Sequence, residues 1–220
     1  MKMLLSYPRS GNHLFRFFIE ILTETPTLGY IQNVKDIPIF QNTFPENIPF
    51  NITKLTDYDK NNLYRKFHNT NNETPTELIF IVRNPREVLL RHLNYKLIKD
   101  VWCGYNTYFN NIDFFNNFTG KKKIFYYEDI LEKKEEFIKQ LYDFLELKNE
   151  SKLNYVLQNI DKLYENSKKG KNRAWGGVNS KSIDYYYKNI KDKKKEEFDN
   201  YIQSKIQTGK YNDIKVKYNL

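Results

Sequence analysis

At 220 residues, 40% of them hydrophobic, the chain has length for one domain with a single core. A net charge of +9 and a pI of about 9.3 favour an anionic partner: a nucleotide, an acidic glycan, a nucleic acid or a membrane surface. Cys103 is the only cysteine, which excludes an internal disulfide and favours a reducing, cytoplasmic setting; no apolar run reaches the ~18 residues of a transmembrane helix, and Met1 to Leu5 is too short for a signal peptide.

Much of the charge is lysine in runs such as Lys121 to Lys123 and Lys193 to Lys195, which read as solvated surface. Ala174 is the only alanine, and Lys, Asn, Ile, Tyr and Phe are abundant. That bias suggests A/T-rich coding, so single asparagines carry little functional weight.

Met3 to Tyr7 is a short apolar run suited to a buried strand, and Pro8 to Gly11 is a turn. Asn12 to about Thr23 reads as a helix interrupted only by Arg16 and Glu20; apolar on nearly every side, it belongs in the interior. A strand, a glycine turn holding a cation, and a helix make the layout of a phosphate cradle, because the first N–H groups of a helix lack partners and point into the turn. An ordinary strand–turn–helix connection has the same pattern. The stretch is not a Walker A loop: Ser6 stands in place of the first glycine, and Gly11 is followed by Asn12 and His13 rather than Lys and Ser/Thr. The metal-holding hydroxyl is missing and the cation sits inside the turn, at Arg9. This suggests an anionic nucleotide handled without metal.

Pro26 ends the helical signal, and Pro38, Pro45 and Pro49 break up residues 24–60, a loop-rich excursion anchored by Phe40, Phe44 and Phe50. Leu63 to His68 looks like a second strand. Glu77 to Val82 is the clearest one, short, β-branched and apolar like a central parallel strand. Pro85 opens a helix to about Ile98. Val101 to Phe118 is rich in aromatics, but Gly104 and its asparagines argue against one regular helix; it could line an acceptor pocket or pack into the core. Lys123 to Tyr127 is a further strand. Helices are expected over Glu132–Leu147, Lys152 to about Asn166, Ser182–Asn189 and Lys191–Ile206, with a loop from Gly170 to Gly177 and a short tail. Strands alternating with helices indicate a three-layer α/β, P-loop-like fold with a central parallel sheet flanked by helices, in one domain over 1–220.

In such sheets ligands bind beyond the carboxyl ends of the strands. At those ends stand Arg9, Ser10 and Gly11, then Lys66 and His68, then Arg83, then Tyr127, Glu128 and Asp129. Three cations and a histidine on one edge suit a ligand carrying phosphate-type groups at two places. Taken singly, each residue is equally well a surface cation or a capping acid.

These motifs resemble the cytosolic-type sulfotransferases, which use 3′-phosphoadenosine 5′-phosphosulfate (PAPS). Tyr7-Pro8-Arg9-Ser10-Gly11-Asn12 is similar to the family's phosphosulfate loop, Tyr-Pro-Lys-Ser-Gly-Thr. Lys66-Phe67-His68 is similar to its Lys-Thr-His, and Val82-Arg83-Asn84-Pro85-Arg86-Glu87-Val88 to its Val-Arg-Asn-Pro/Ala-Lys-Asp-Val. Tyr127-Glu128-Asp129-Ile130-Leu131 resembles its Tyr-Glu-Asp-Leu segment, and Phe198-Asp199 with Val216 to Leu220 loosely resembles its C-terminus. Order and approximate spacing agree from residue 5 to about 147.

The resemblance implies sulfonate transfer from PAPS to an acceptor hydroxyl or amine, leaving the product 3′-phosphoadenosine 5′-phosphate (PAP), with no metal. It implies that Arg9 contacts the phosphosulfate bridge, that Ser10, Gly11 and Asn12 bind the 5′-phosphate with His13 beside them, and that Lys66 stabilises the moving sulfonate. His68 matches the general base. Arg83 matches the 3′-phosphate ligand, as a bidentate, charge-assisted contact, and Tyr127 the adenine contact. Lys171 and Arg173 stand loosely where a 3′-phosphate loop would be.

The chain departs from the pattern in places. Arg9 replaces a lysine, so it stays charged and forks toward anions but does not readily donate a proton. Arg91 replaces a 3′-phosphate-binding serine, and Leu14 an aromatic that stacks on adenine, which leaves stacking to Trp175 or Tyr127. Glu20 and Glu73 are weaker alternatives to His68 as base. The implied acceptor is a small molecule or glycan bearing a hydroxyl, with no nucleic acid partner. Two other readings stay open: a P-loop-type nucleotide kinase, and a non-catalytic protein that binds PAP, an anionic glycan or nucleic acid.

Overall fold

The computed structural model describes residues 1–29, 62–70, 73–93, 104–167 and 192–220. Its centre is a four-stranded, all-parallel sheet of β1 (Lys2–Ser6), β2 (Tyr64–Phe67), β3 (Glu77–Val82) and β4 (Lys121–Tyr126) in the order β2-β1-β3-β4. Among the described residues the helices are α1 (Asn12–Thr23), α2 (Pro85–Leu93), α3 (Tyr105–Asn117), α4 (Tyr127–Glu132), α5 (Lys134–Phe144), α6 (Glu150–Gln158), α7 (Ile160–Ser167), α8 (Asp192–Ile206) and α9 (Asn212–Tyr218).

Strand side chains alternate between two cores, as a period of two requires. Leu4, Ile79, Ile81 and Phe125 face one side with Phe15, Phe18, Phe137, Leu141, Val156 and Leu163 from α1, α5, α6 and α7. Met3, Leu5, Leu78, Phe80 and Val82 face the other with Val88, Phe109, Ile202 and Ile214 from α2, α3, α8 and α9. Burial of each large side chain contributes about 1.5–3 kcal/mol. The rings of Phe15, Phe125 and Phe137 lock α1 and α5 to the sheet, with centroids 5.4, 5.0 and 5.5 Å apart.

At the amino edge of the sheet one carboxylate ties the strand starts together. Glu77 accepts the Tyr64 hydroxyl hydrogen and pairs with Lys2 (3.3 Å) and Lys121 (3.5 Å), so residues from all four strands meet there. Burial, with Glu77 beside it, pushes the Tyr64 hydroxyl pKa up and keeps it a donor. Glu77→Ala is expected to cost about 2–3 kcal/mol in urea denaturation, because it strands the buried Tyr64 hydroxyl and removes the carboxylate that Lys2 and Lys121 share, Lys121 keeping only Glu146.

The structure corrects several expected elements. The aromatic stretch is a regular helix, α3, over its described part: Tyr108, Phe109 and Ile112 are buried at helical spacing, while Asn106, Asn110 and Asn116 are exposed. Gly104 stands outside it as the N-cap. Periodic burial outweighs the modest helix propensity of asparagine. The helix expected over 132–147 is α5, beginning at Lys134, and a separate short helix, α4, precedes it, starting directly at the end of β4. The helix expected over 152–166 divides at Asn159, whose backbone and side-chain N–H groups both donate to Tyr155 O and end α6. The tail contains α9, set up by a turn at Gly209 (φ +72°). The expected helix at 182–189, the loop at 170–177 and nearly all of the excursion at 24–60 lie outside the described residues.

Candidate functional site

Parallel strands place all their carboxyl ends on one edge. Ser6, Phe67, Val82 and Tyr126 are those ends, and the sequence-predicted residues follow them. The first is the turn at 9–11. Arg9 (φ +73°) and Gly11 (φ +91°) both adopt left-handed backbone, with Ser10 between them. Ser10 N donates to Tyr7 O at 3.2 Å, and Gly11 O starts α1 by accepting from Leu14 and Phe15. Gly11 is the N-cap of α1 and has no side chain to serve its N–H groups. Left-handed turns opening into a helix N-terminus form anion-binding concavities. The Ser10 hydroxyl is buried there with no hydrogen-bond partner among the described residues. An orphaned hydroxyl beside an uncapped helix start is a donor set that fits a phosphate-type oxygen. Asn12 is partly committed elsewhere: its amide donates to Ser6 Oγ at 3.0 Å, bracing the turn from below.

Gly11 is also required by close approach. A Cβ added there would lie 2.3 and 2.5 Å from Cδ2 and Cε2 of Tyr127, the first residue of α4. The Tyr127 ring in turn carries the Arg83 guanidinium, whose carbon lies 4.1 Å from the ring centroid. Arg83 donates from Nη1 to Arg9 O at 3.1 Å. Turn, β3 end and α4 are therefore joined through one arginine and one tyrosine.

The bidentate edge of Arg83 is occupied by Glu87, in the first turn of α2. Nε donates to Oε2 at 2.9 Å and Nη2 to Oε1. Of five guanidinium N–H groups three are engaged, leaving two on the terminal nitrogens for a ligand. The pair Arg83–Glu87 is a feature the sequence reading missed; the signal was the i,i+4 spacing of opposite charges.

His68 follows β2 directly, half-buried, with Nδ1 2.9 Å from Ser6 O. A carbonyl only accepts, so Nδ1 carries the hydrogen and Nε2 the basic lone pair. Asn111 of α3, 1% exposed, donates to His68 O at 3.0 Å and holds its backbone from behind. Composition gives single asparagines little weight; burial is what singles out Asn111.

The other predicted residues are placed as follows. Lys66 lies on β2 opposite Leu4, its backbone N–H bonded to Leu28 O at 2.9 Å. His13 is exposed on the first turn of α1. Glu20 is fully buried about 12 Å along α1 from Asn12 at 1.5 Å per residue. Its carboxylate accepts from Thr27 N (2.9 Å) and the Thr27 hydroxyl, and Arg16 also binds Thr27. Glu20 thus tethers the chain after Pro26. Glu73 lies in the turn before β3, its N–H bonded to Thr70 O. Arg91 lies on α2, where only the backbone is described; Lys171, Arg173 and Trp175 lie outside the described residues. Among the described residues no cluster of three or more His, Cys, Asp or Glu could hold a metal, and no helix is long and apolar enough to cross a membrane.

A parallel sheet clad by helices on both faces, with a glycine turn feeding its first helix, is the P-loop-like fold of sulfotransferases. In particular, the chain is similar to mouse sulfotransferase SULT7A1 complexed with PAP, with a TM-score of 0.55 and 14% identity over 99% of this chain and 86% of that one. It is also similar to retinol dehydratase in complex with androsterone and inactive cofactor PAP (TM-score 0.56, 14% identity, 92% of this chain and 79% of that one). A complex of retinol dehydratase with retinol and PAP gives a TM-score of 0.51 at 13% identity, over 92% and 80% of the two chains. At such identities the likeness establishes the fold. No family of known proteins and no curated protein matches the sequence.

Proposed function

We propose that the chain is a sulfotransferase that moves the sulfonate group of PAPS to the hydroxyl of a small-molecule or glycan acceptor. The observation that carries this reading is the meeting of the 9–11 turn, Arg83 and Tyr127, linked by direct contacts, with His68 held on Ser6 at the end of the strand that leads into the turn. The PAP bound by the structural neighbours supports the same ligand here.

In this reading Ser10, Gly11, Asn12 and the start of α1 hold the 5′-phosphate, with His13 at the rim and Arg9 at the phosphosulfate bridge. Arg83 holds the 3′-phosphate with its remaining N–H groups, joined by Arg91, Lys171 and Arg173. Tyr127, already stacked on Arg83, offers an edge to adenine. The acceptor oxygen bonds to sulfur as the bond from sulfur to the 5′-phosphate oxygen breaks. His68 Nε2 takes the acceptor proton. Lys66, Arg9 and the N-terminus of α1 stabilise the charge that builds on the leaving oxygen, and PAP departs. A cytoplasmic setting suits the lone cysteine and the supply of a soluble nucleotide.

The test is a ligand-binding and transfer experiment. PAP at ~100 times its Kd is expected to stabilise the fold by about 2.7 kcal/mol, a rise in Tm of roughly 5–10 °C for a chain of this size. Labelled PAPS with a mixed acceptor panel should then give a labelled product, with Arg9→Lys run alongside. Stabilisation by ATP–Mg²⁺ and none by PAP would favour the kinase reading. Binding of PAP without transfer by either protein would leave a nucleotide-binding protein.

A further inference from the structure

The peptide unit that joins Arg83 to Asn84 is gripped at both ends by side chains from other elements. Its carbonyl oxygen accepts the Tyr108 hydroxyl hydrogen from α3 at 2.8 Å. Its N–H donates to Glu128 Oε1 of α4 at 3.0 Å. Glu128 is itself braced, because Oε2 accepts the Tyr218 hydroxyl hydrogen from α9 at 2.9 Å. A second set of contacts seats α9 there: Lys217 pairs with Asp129, its ammonium lies 5.0 Å from the Tyr126 ring centroid, and the rings of Tyr126 and Tyr218 meet edge-on at 6.2 Å.

The local logic of α2 explains why Glu128 is needed. Asn84 acts as the N-cap of α2: its side-chain oxygen accepts from Arg86 N at 3.0 Å, and its carbonyl from Glu87 and Val88. In a capping box the acid three residues on reaches back to the N-cap N–H. That acid is Glu87, and its carboxylate is committed to Arg83. Glu128 supplies the missing acceptor from the end of the neighbouring strand β4 and so leaves Glu87 on the guanidinium.

We propose that Glu128, braced by Tyr218, is the positioning residue that aims Arg83, so that the last helix of the chain governs how tightly the site holds the 3′-phosphate of its nucleotide. This rests on the sulfotransferase reading of Arg83. Neither Glu128 nor Tyr218 touches the ligand; they act through one peptide plane and one carboxylate. Without Glu128 the Asn84 N–H competes for Glu87, and Arg83 loses the partner that orients it. A small displacement of a ligand-holding group is enough to lower binding strongly. Burial, with Glu128 nearby, pushes the hydroxyl pKa values of Tyr108 and Tyr218 up, so both remain neutral donors.

The experiment measures affinity for PAP and for 5′-AMP, which lacks the 3′-phosphate, by calorimetry on the full chain and on Glu128→Ala, Glu128→Gln and Tyr218→Phe. Glu128→Ala is expected to weaken PAP about tenfold and Tyr218→Phe about threefold, in the range of lost supporting contacts. Affinity for 5′-AMP should stay within about twofold, and transfer at saturating PAPS should be preserved, a split that a general loss of structure would not produce. Glu128→Gln keeps an acceptor for Asn84 N–H and an amide for Tyr218, and should restore PAP binding to within about twofold of wild type. Wild-type PAP affinity in Glu128→Ala, or an equal loss for PAP and 5′-AMP, overturns the positioning role and leaves the sulfotransferase reading standing. A wild-type chain that binds neither nucleotide overturns that reading and this inference with it. If Glu128→Ala does not fold, Tyr218→Phe decides, since it removes a single oxygen at the rim.

Discussion

Replacing His68 with alanine is expected to lower kcat by about 10²–10⁴, the usual contribution of a positioned general base, while PAP affinity stays near wild type. The geometry makes the prediction specific. The imidazole is fixed at Nδ1 by Ser6 O, so its lone pair is on Nε2 and its ring plane is set by the end of β1. Its backbone is fixed by Asn111. Of the carboxylates considered for the same task, Glu20 is fully buried and committed to Thr27, so it has no route to an acceptor hydroxyl. Single-turnover transfer with labelled PAPS separates the chemical step from product release. A His68→Ala chain that turns over at the wild-type rate would sink the base assignment and leave nucleotide positioning as the main source of rate.

Asn111 offers a second reading of the same point. Asn111→Ala removes one bond to the His68 carbonyl and leaves the imidazole intact. Its effect therefore measures how much of the catalysis depends on orientation alone. Comparison of the two variants belongs in one assay, because residues in direct contact do not contribute additively.

The strands and the first helix were legible because their signals are local. Leu78 to Val82 is an unbroken apolar run with β-branched Ile79, Ile81 and Val82, and the structure has the strand at the expected bounds, Glu77–Val82. Asn12 to Thr23 has a glycine before it and no polar face, and it is the helix α1. The strand ends gave the list of candidate residues, since a parallel sheet converts scattered positions into neighbours. The clamps around them were not legible. Tyr108 to Arg83 O, Asn111 to His68 O and Tyr218 to Glu128 span 25, 43 and 90 residues of sequence. No periodicity encodes such pairs, and tyrosine and asparagine are common enough in this chain to hide them. The bidentate hold of Glu87 on Arg83 was within reach of sequence spacing, but the resemblance directed attention to a phosphate as the partner of that arginine. The break at Asn159 was missed because apolar spacing continues across it, through Val156, Ile160 and Leu163, and α4 was missed because it is only six residues long.

The second large effect is expected at Gly11. Gly11→Ala should destabilise the chain by roughly 3 kcal/mol or more, from left-handed strain and steric overlap together, and should remove measurable PAP binding. Two separate causes act at this position. The backbone has φ +91°, where a side chain is strained whatever the surrounding space. The new Cβ would also sit 2.3 Å from the Tyr127 ring, which is flanked by the Arg83 guanidinium and cannot retreat without breaking that contact. The double variant Gly11→Ala/Tyr127→Ala distinguishes the causes. It removes the overlap but keeps the φ strain, so stability should recover in part, and the coupling between the two positions should exceed about 1 kcal/mol in urea denaturation. PAP binding should stay lost in the double variant, because the Tyr127 contact with Arg83 has gone and the turn remains strained. Full recovery of both stability and binding would mean that steric approach alone makes glycine necessary. Wild-type stability in the single variant would mean that the turn can relax around a side chain, and the 9–11 turn would then no longer qualify as a rigid phosphate cradle.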